Sequence, residues 1–277
     1  MTLSEAYNYG VYFLSANGID EAEFKSMCLA CSLCGIKNSE FLMHKNDDVI
    51  MKRFADMLWR VKSGEPLQYV LGKWDFYNYE FNVGEGVLIP RPETEELVET
   101  ALRSIKGVPS PVVLDLCSGS GCVGISIARE RPDCSVYCVE LFDEALAYLN
   151  KNAQSDKNVK IIKADVLQNP DKSILPIKAD LIASNPPYIK SNEIASLQQE
   201  VRREPLSALD GGEDGLDFYR SIITKWLVLL KENGTVLFEI GEEQGKAVKA
   251  LLEEKGFKEC SVIKDMYGNS RIVKAVK

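Results

Sequence analysis

Apolar positions in residues 1–65 recur every three or four places, as in Met27, Ala30 and Leu33 and again in Phe54, Met57, Leu58 and Val61. That spacing marks one face of a helix. Asp20 and Glu21 stand where a helix start is expected and Gly35 where a helix stops, with Ser39 and Asp47 or Asp48 as further caps. No strand-like alternation occurs there, so the pattern predicts a small domain of several short helices. Residues 66–90 change character. Leu67, Gln68, Tyr69 and Val70 lead to Gly72. Trp74, Phe76, Tyr77, Tyr79, Phe81 and Val83 follow, before Gly84 and Gly86. Aromatic and β-branched residues bounded by glycines read as a β-hairpin linking two domains.

Beyond this point helix and strand patterns alternate. Helices are expected over 93–105, opened by Pro92, and over 122–129, 142–152, 215–230 and 243–255. Strands are expected over 112–116, 135–140, 159–162, 179–183, 235–240, 258–263 and 271–276. Strands interleaved with helices predict an α/β fold over residues 91–277, with a mostly parallel, doubly wound, seven-stranded sheet.

The composition agrees with two globular domains: 277 residues, 45% apolar and 27% charged. A net charge of −8 opposes bulk attraction to phosphate backbones, so no direct nucleic-acid partner is expected, although a local basic groove stays open. No run approaches the ~18 apolar residues that suggest a membrane span. The first residues carry Glu5 and Asp20 and lack the layout of a secretory signal. Eight cysteines are too few for a disulfide scaffold. A cytoplasmic monomer with reduced thiols is the expectation.

Two segments carry chemistry. The first predicted sheet strand runs into Asp115, Leu116, Cys117, Ser118, Gly119, Ser120 and Gly121, and a helix follows at Cys122. Glycines there let the backbone turn tightly against a ligand, and the helix start offers free N–H groups. Asp115 at the strand end can accept hydrogen bonds from loop amides or a ligand ammonium. Glu140 closes the next strand, at the spacing from Gly119 that places a carboxylate on ribose hydroxyls. This loop alone leaves a dinucleotide and S-adenosylmethionine as alternatives.

The second segment is Asn185-Pro186-Pro187-Tyr188, at the end of the strand over 179–183. Open α/β sheets bind ligands outside the carboxyl ends of their strands. The prolines restrict the backbone, so the Asn185 side-chain carbonyl and the Pro186 main-chain carbonyl can be held as a pair of acceptors. Such a pair can grip the two N–H bonds of a planar NH2 group, with Tyr188 stacked on its plane. An amide nitrogen is a poor nucleophile because its lone pair is delocalised. Acceptors on its hydrogens stabilise the positive charge that develops during attack on a methyl group, and they orient the lone pair.

Together these residues resemble the class I S-adenosylmethionine-dependent methyltransferases that modify amino nitrogens. The flanking segments are similar to one family in particular. These are Ile89 to Glu95; Glu204 to Leu209 with Gly211, Gly212, Asp214, Gly215 and Leu216; Glu239 to Gly241 with Gln244; and Asp265, Gly268 and Arg271. They resemble the release factor glutamine methyltransferases, which methylate the glutamine amide of the Gly-Gly-Gln motif in peptide chain release factors. The resemblance implies a Rossmann-like methyltransferase sheet behind a small all-helical N-terminal domain that docks the substrate. It implies S-adenosylmethionine as cofactor, release factors as partners, and no metal. By residue, it implies cofactor contacts from Asp115, Cys117, Ser118, Gly119, Ser120, Gly121, Glu140, Asp165, Val166 and Asn185. It places the glutamine on Asn185, Pro186, Pro187 and Tyr188, with Asn185, Pro186 and Tyr188 catalytic. Cys117 stands where a glycine is usual, and Val166 where an aromatic sometimes stands.

Other signals read as structural. Cys28, Cys31 and Cys34 follow C-x2-C-x2-C, but no fourth ligand completes a metal or cluster site, so small buried side chains are expected. Cys117 and Cys122 lack a neighbouring base. His44, the single histidine, falls in the helical region. Glu200, Arg202, Arg203 and Glu204 read as a solvated face or as a lid. Arg91 and Glu93 read equally as surface charges or as cover for the cofactor pocket. An adenine-amino methyltransferase, a nicotinamide oxidoreductase and a non-enzymatic adaptor remain as competing functions. The charge argues against the first, the unexplained Asn185–Tyr188 segment against the second, and the paired motifs against the third.

Overall fold

A computed structural model of the chain describes every residue except 172, 174, 176 and 177. The chain forms two compact units, residues Met1–Lys73 with Gln198–Arg203, and residues Trp74–Leu197 with Glu204–Lys277.

The first unit is helical: α1 (Leu3–Ala16), α2 (Ala22–Cys34), α3 (Phe41–His44), α4 (Met51–Lys62) and α5 (Leu67–Leu71). A reciprocal cap starts α1, where Thr2 Oγ1 accepts the Glu5 amide and Glu5 accepts the Thr2 amide. Its buried face is Leu3, Ala6, Gly10 and Leu14. Gly10 is required because a Cβ there would sit 2.2 Å from Ser26 Oγ. In α4 the buried residues are the expected Phe54, Met57, Leu58 and Val61. In α2 the buried face is Ser26, Cys28, Leu29, Ala30 and Cys31, one position round from the expected Met27 and Leu33. Gly35 ends α2 in the left-handed conformation. Ser39, Asp47 and Asp48 cap no helix; Lys37 and Ile50 occupy those cap positions. Within this unit Lys25 bonds Glu200 at 3.1 Å and Arg203 bonds the Ser63 carbonyl at 3.2 Å.

The expected hairpin over 66–90 is shorter than its sequence pattern. Residues Leu67–Leu71 are α5, begun after Pro66 and ended by Gly72 in the left-handed region. Only β1 (Lys73–Phe76) and β2 (Tyr79–Asn82) pair. Phe76 and Phe81 from these strands are fully buried and meet edge to face at 6.0 Å.

The second unit holds α6 (Glu95–Ser104), β3 (Val112–Leu116), α7 (Cys122–Glu130), β4 (Ser135–Glu140), α8 (Asp143–Asn152), β5 (Val159–Lys163), β6 (Ala179–Ser184), α9 (Asp217–Ser221), β7 (Leu230–Glu239), α10 (Gly245–Glu254), β8 (Lys258–Lys264) and β9 (Ser270–Val276). Seven strands form one sheet in the order β5-β4-β3-β6-β7-β9-β8. Pairings from β5 to β7 are parallel, and β9 is antiparallel to both β7 and β8. Side-chain alternation buries both faces. Leu114, Leu116, Ile182 and Phe238 join one core with Tyr219 and Trp226. Val113, Leu181 and Leu237 join the other with Leu97, Phe76 and Phe81.

One expected helix is broken. In place of a helix over 215–230, α9 passes into a π turn at Ile222–Trp226 and a 3-10 turn at Leu227–Leu229. Strand β7 begins at Leu230 because Leu230 pairs with Ala179 before an irregularity, after which Thr235 pairs with Leu181. The strand order reverses beside β3, so loops after β3, β4 and β6 open away from one another and leave a crevice there.

Candidate active site

The crevice is lined by ten of the residues singled out from sequence: Asp115, Cys117, Ser118, Gly119, Ser120, Glu140, Asp165, Val166, Asn185 and Pro187. Gly121, Pro186 and Tyr188 belong to the same two loops but are not among the residues that line it. A side chain at Gly121, which has φ +82°, would meet Leu149 Cδ1 at 2.4 Å and Ile125 Cδ1 at 2.6 Å. Glycine is needed there for both conformation and space.

Glu140 organises the loop. Its Oε2 accepts the Gly119 amide at 2.9 Å, and its Oε1 accepts the amides of Leu141 at 2.7 Å and Phe142 at 3.0 Å. Asp115 is buried, and its Oδ2 accepts the Gly124 amide at 3.0 Å at the start of α7. Burial pushes the Asp115 carboxyl up to about 7, against the opposing effect of the Gly124 and Ser118 hydrogen bonds. A Cβ at Gly124 would lie 2.6 Å from Cys138 Sγ and 2.8 Å from Asp115 Oδ2, so only glycine lets the helix approach that carboxyl. Cys117 takes φ +59°, the left-handed backbone that favours the glycine usual at this place. Burial raises the thiols of Cys117 and Cys122, the latter to about 12, which keeps both as poor nucleophiles. Among the described residues, the buried Ser120 hydroxyl has no hydrogen-bond partner. Phe142 and Phe218 also line the crevice, supplying aromatic surface that Val166 does not.

The Asn185–Tyr188 segment is clamped from three sides. Gly211 lies so close that a Cβ would sit 2.7 Å from Tyr188 Cα and 2.8 Å from the Pro187 carbonyl oxygen. Gln244 Nε2 donates to the Tyr188 carbonyl at 2.9 Å and to the Gly215 carbonyl at 3.1 Å. Ser184 Oγ donates to the Leu116 carbonyl at 2.7 Å, tying the ends of β6 and β3 together. Burial, then the nearby Glu239 carboxyl, push the Tyr188 phenol up to about 12. Among the described residues, nothing donates to the Pro186 carbonyl or to Asn185 Oδ1.

Arg91 is not a surface charge. It pairs with Glu204, which is buried and also accepts the Ile89 amide at 3.0 Å. Burial raises the Glu204 carboxyl and Arg91 opposes the rise. The charged run therefore divides, with Glu204 paired to Arg91, which lines the crevice, and Glu200 and Arg203 bonded within the helical unit. Of the cysteine run, Cys28 and Cys31 are buried as expected while Cys34, at the end of α2, is only half-buried, and His44 bonds Asp47 at 2.7 Å.

Sequence patterns missed the roles of two residues, although one of them, Thr94, falls inside the Ile89 to Glu95 segment. Asn152 donates from Nδ2 to the Ser120 carbonyl at 2.9 Å and accepts the Asn82 amide at 2.7 Å, which pins the glycine loop to β2. Thr94 lies in the crevice wall against Asn185. No periodicity marks either one.

Comparison with known proteins completes the description. Residues 5–72 match the family described as the PrmC N-terminal domain, and residues 94–214 match the methyltransferase small domain. The release factor glutamine methyltransferase of Bacillus subtilis is 37% identical, covering 99% of this chain and 98% of that one. The protein of the same name from Thermodesulfovibrio yellowstonii is 42% identical, covering 76% of this chain and 75% of that one. Among solved structures, the hMettl16 catalytic domain in complex with MAT2A 3'UTR hairpin 6 superposes with a TM-score of 0.59. It is 16% identical and covers 77% of this chain and 81% of that chain, a likeness of fold. Similar to its relatives through both the helical and the sheet portions, the chain belongs to the release factor glutamine methyltransferase family.

Proposed function

We propose that this protein transfers a methyl group from S-adenosylmethionine to the side-chain amide nitrogen of the glutamine in the Gly-Gly-Gln motif of peptide chain release factors. The observation that carries this reading is the pair of unpartnered acceptors, Asn185 Oδ1 and the Pro186 carbonyl, on a segment clamped by Gly211 and Gln244. The crevice fits the cofactor. Glu140 keeps lone pairs beyond its three amide bonds for a ribose diol, the Ser120 hydroxyl lacks a partner among the described residues, and Phe142 and Phe218 line the crevice with aromatic surface for an adenine ring. Asp115 through Gly121, with Asp165 and Val166, would complete the holding residues. When bound, S-adenosylmethionine supplies an electrophilic methyl group on a sulfonium.

The chain's own residues then act on the amide. Asn185 and Pro186 accept its two hydrogens, fix its plane and stabilise charge as nitrogen becomes cationic, and one of those two protons is then released to water to leave the neutral N-methyl amide. Tyr188, held neutral, packs beside that plane. Rigid support matters because an acceptor that must reorganise during attack loses most of its advantage. A single glutamine offers little binding area, so recognition of a whole protein needs remote contacts. The helical unit carries exposed Tyr9, Tyr12 and Trp59 near Phe13, together with Leu42 and Met43, which suit docking of that partner.

The test uses radiolabelled S-adenosylmethionine with purified release factor, its Gln-to-Ala variant and total nucleic acid. Label on the wild-type factor alone supports the proposal. Label on nucleic acid would move the protein to base methylation and overturn it.

A further inference from the structure

The break in the helix after α9 has a geometric use. Leu227 donates its amide to the Ile222 carbonyl, five residues back, which makes Ile222–Trp226 a π turn. Single π turns of this kind are frequent at functional sites. In an unbroken α-helix, side chains five residues apart point about 140° away from each other. The wider π turn brings Trp226 round to the side of Ser221, and both reach the loop that follows β5. Ser221 Oγ donates to the Val166 carbonyl at 2.8 Å, and Trp226 Nε1 donates to the Gln168 carbonyl at 2.9 Å. Lys225 Nζ donates to the carbonyl between them, that of Leu167. Three side chains of one segment thus take three consecutive main-chain carbonyls. Ser221 and Trp226 are both buried.

The opposite edges of the same peptide planes hold Asp165. A planar peptide fixes the carbonyl of one residue against the amide of the next. The plane whose carbonyl Ser221 holds ends in the Leu167 amide, which donates to Asp165 Oδ1 at 2.8 Å. The plane whose carbonyl Lys225 holds ends in the Gln168 amide, which donates to the Asp165 carbonyl at 3.0 Å. Side chain and main chain of Asp165 are therefore both tied to the clamped planes. Asp165, Val166 and Leu167 line the crevice, as does Phe218, three residues ahead of Ser221. Among the described residues no donor reaches Asp165 Oδ2, which leaves that oxygen for a ligand.

We infer that Ser221, Lys225 and Trp226 are positioning residues for the cofactor: through the peptide planes of residues 166–168 they hold the Asp165 carboxylate at a fixed aim in the crevice. This rests on the S-adenosylmethionine site proposed above. A carboxylate free to turn must be ordered when the ligand arrives, and that ordering subtracts from affinity. The clamp orders it beforehand. None of the three clamp residues lines the crevice, so their effect on binding passes through Asp165 and the loop behind it.

The experiment compares wild type, Ser221→Ala, Trp226→Phe, Asp165→Ala and the double variant Ser221→Ala with Asp165→Ala. It reads S-adenosylhomocysteine affinity by calorimetry, kcat for release-factor methylation at saturating S-adenosylmethionine, and thermal unfolding. Alanine removes one hydroxyl; phenylalanine keeps most of the indole's bulk and removes its N–H. Ser221→Ala is expected to weaken affinity about three- to thirtyfold and Trp226→Phe about two- to tenfold, with kcat within about twofold of wild type. In the Asp165→Ala background, Ser221→Ala is expected to change affinity by less than about twofold, because residues that act through one another are not additive. Hydrogen exchange over residues 164–169 of the cofactor-free protein is expected to quicken in Ser221→Ala, which reads the clamp without a ligand. Unchanged affinity or unchanged exchange in a folded Ser221→Ala protein overturns the inference. So does an equal loss of affinity with and without Asp165, the result that a merely structural serine would give. A lower kcat with affinity intact also overturns it. Wild-type protein that does not bind S-adenosylhomocysteine overturns the cofactor reading itself.

Discussion

The side-chain amide of Gln244 reaches across from the start of α10 and donates to the main-chain carbonyl of Tyr188 at 2.9 Å. The same amide donates to Gly215, and its oxygen accepts the Gly241 amide at 2.9 Å. One side chain thus joins three loops at the carboxyl end of the sheet. Gln244→Leu strands the Tyr188 and Gly215 carbonyls and the Gly241 amide. Each group left unpaired costs about 1–3 kcal/mol if buried. The variant is expected to unfold at lower denaturant and to lose kcat well beyond any loss of cofactor affinity. Unchanged kcat in a folded Gln244→Leu enzyme would show that the clamp does not set the acceptor geometry.

Glu140 holds the glycine loop through charge-assisted bonds to three amides. Glu140→Gln replaces one acceptor oxygen by a donor facing amide donors, and removes the carboxylate proposed for the ribose. A bond to a charged group is worth about 1.5–3 kcal/mol, roughly ten- to a hundredfold in affinity. Calorimetry is expected to show S-adenosylmethionine binding weakened by that factor. Affinity within twofold of wild type contradicts the ribose assignment.

Asn185→Ala deletes one acceptor and leaves the glycine loop intact. Cofactor affinity is expected to stay within about tenfold, with transfer nearly abolished. Persistent transfer would contradict the amide-gripping mechanism.

Asp115 makes stability depend on pH in a defined direction. Its carboxyl is raised from an ordinary 3.8 to about 7 in the folded state. The unfolded chain therefore ionises first. The associated stability is complete below about 3.8 and is lost as pH rises through about 7. Glu239, raised to about 7 by burial, acts in the same sense. Asp115→Asn removes one of these ionisations and keeps an oxygen for the Gly124 amide. The variant is expected to gain stability relative to wild type as pH rises from about 4 to about 7, read from urea unfolding at several pH values. A difference that does not vary with pH in that window counts against the buried neutral carboxyl.

Trp59 is 57% exposed on the helical unit and meets Phe13 at 5.6 Å, with Lys62 over its ring. If this surface docks the protein substrate, Trp59→Ala raises KM for the intact release factor and leaves turnover of a short Gly-Gly-Gln peptide unchanged. Equal effects on both substrates would place the docking surface elsewhere.

What the chain's order of residues determined is local. The glycine loop, Glu140 and the Asn185–Tyr188 segment lie at strand ends whose apolar runs and punctuating glycines are legible because strand and turn chemistry act over a few neighbours. The breaks came where distant groups compete with local propensity. Residues 67–71 carry a strand-like composition but form a helix between Pro66 and Gly72. The apolar run over 215–230 reads as one helix, yet the pairing of Leu230 with Ala179 draws its end into the sheet. Thr94, Asn152 and Gln244 acquire their roles only when β6, β7 and the loops around them meet. A hydrogen bond between residues 91 positions apart, as from Asn185 to Thr94, leaves no periodic mark in either segment. The sequence by itself therefore determined which groups can do the chemistry. Tertiary structure decided which way they face, because orientation depends on partners brought together only by folding.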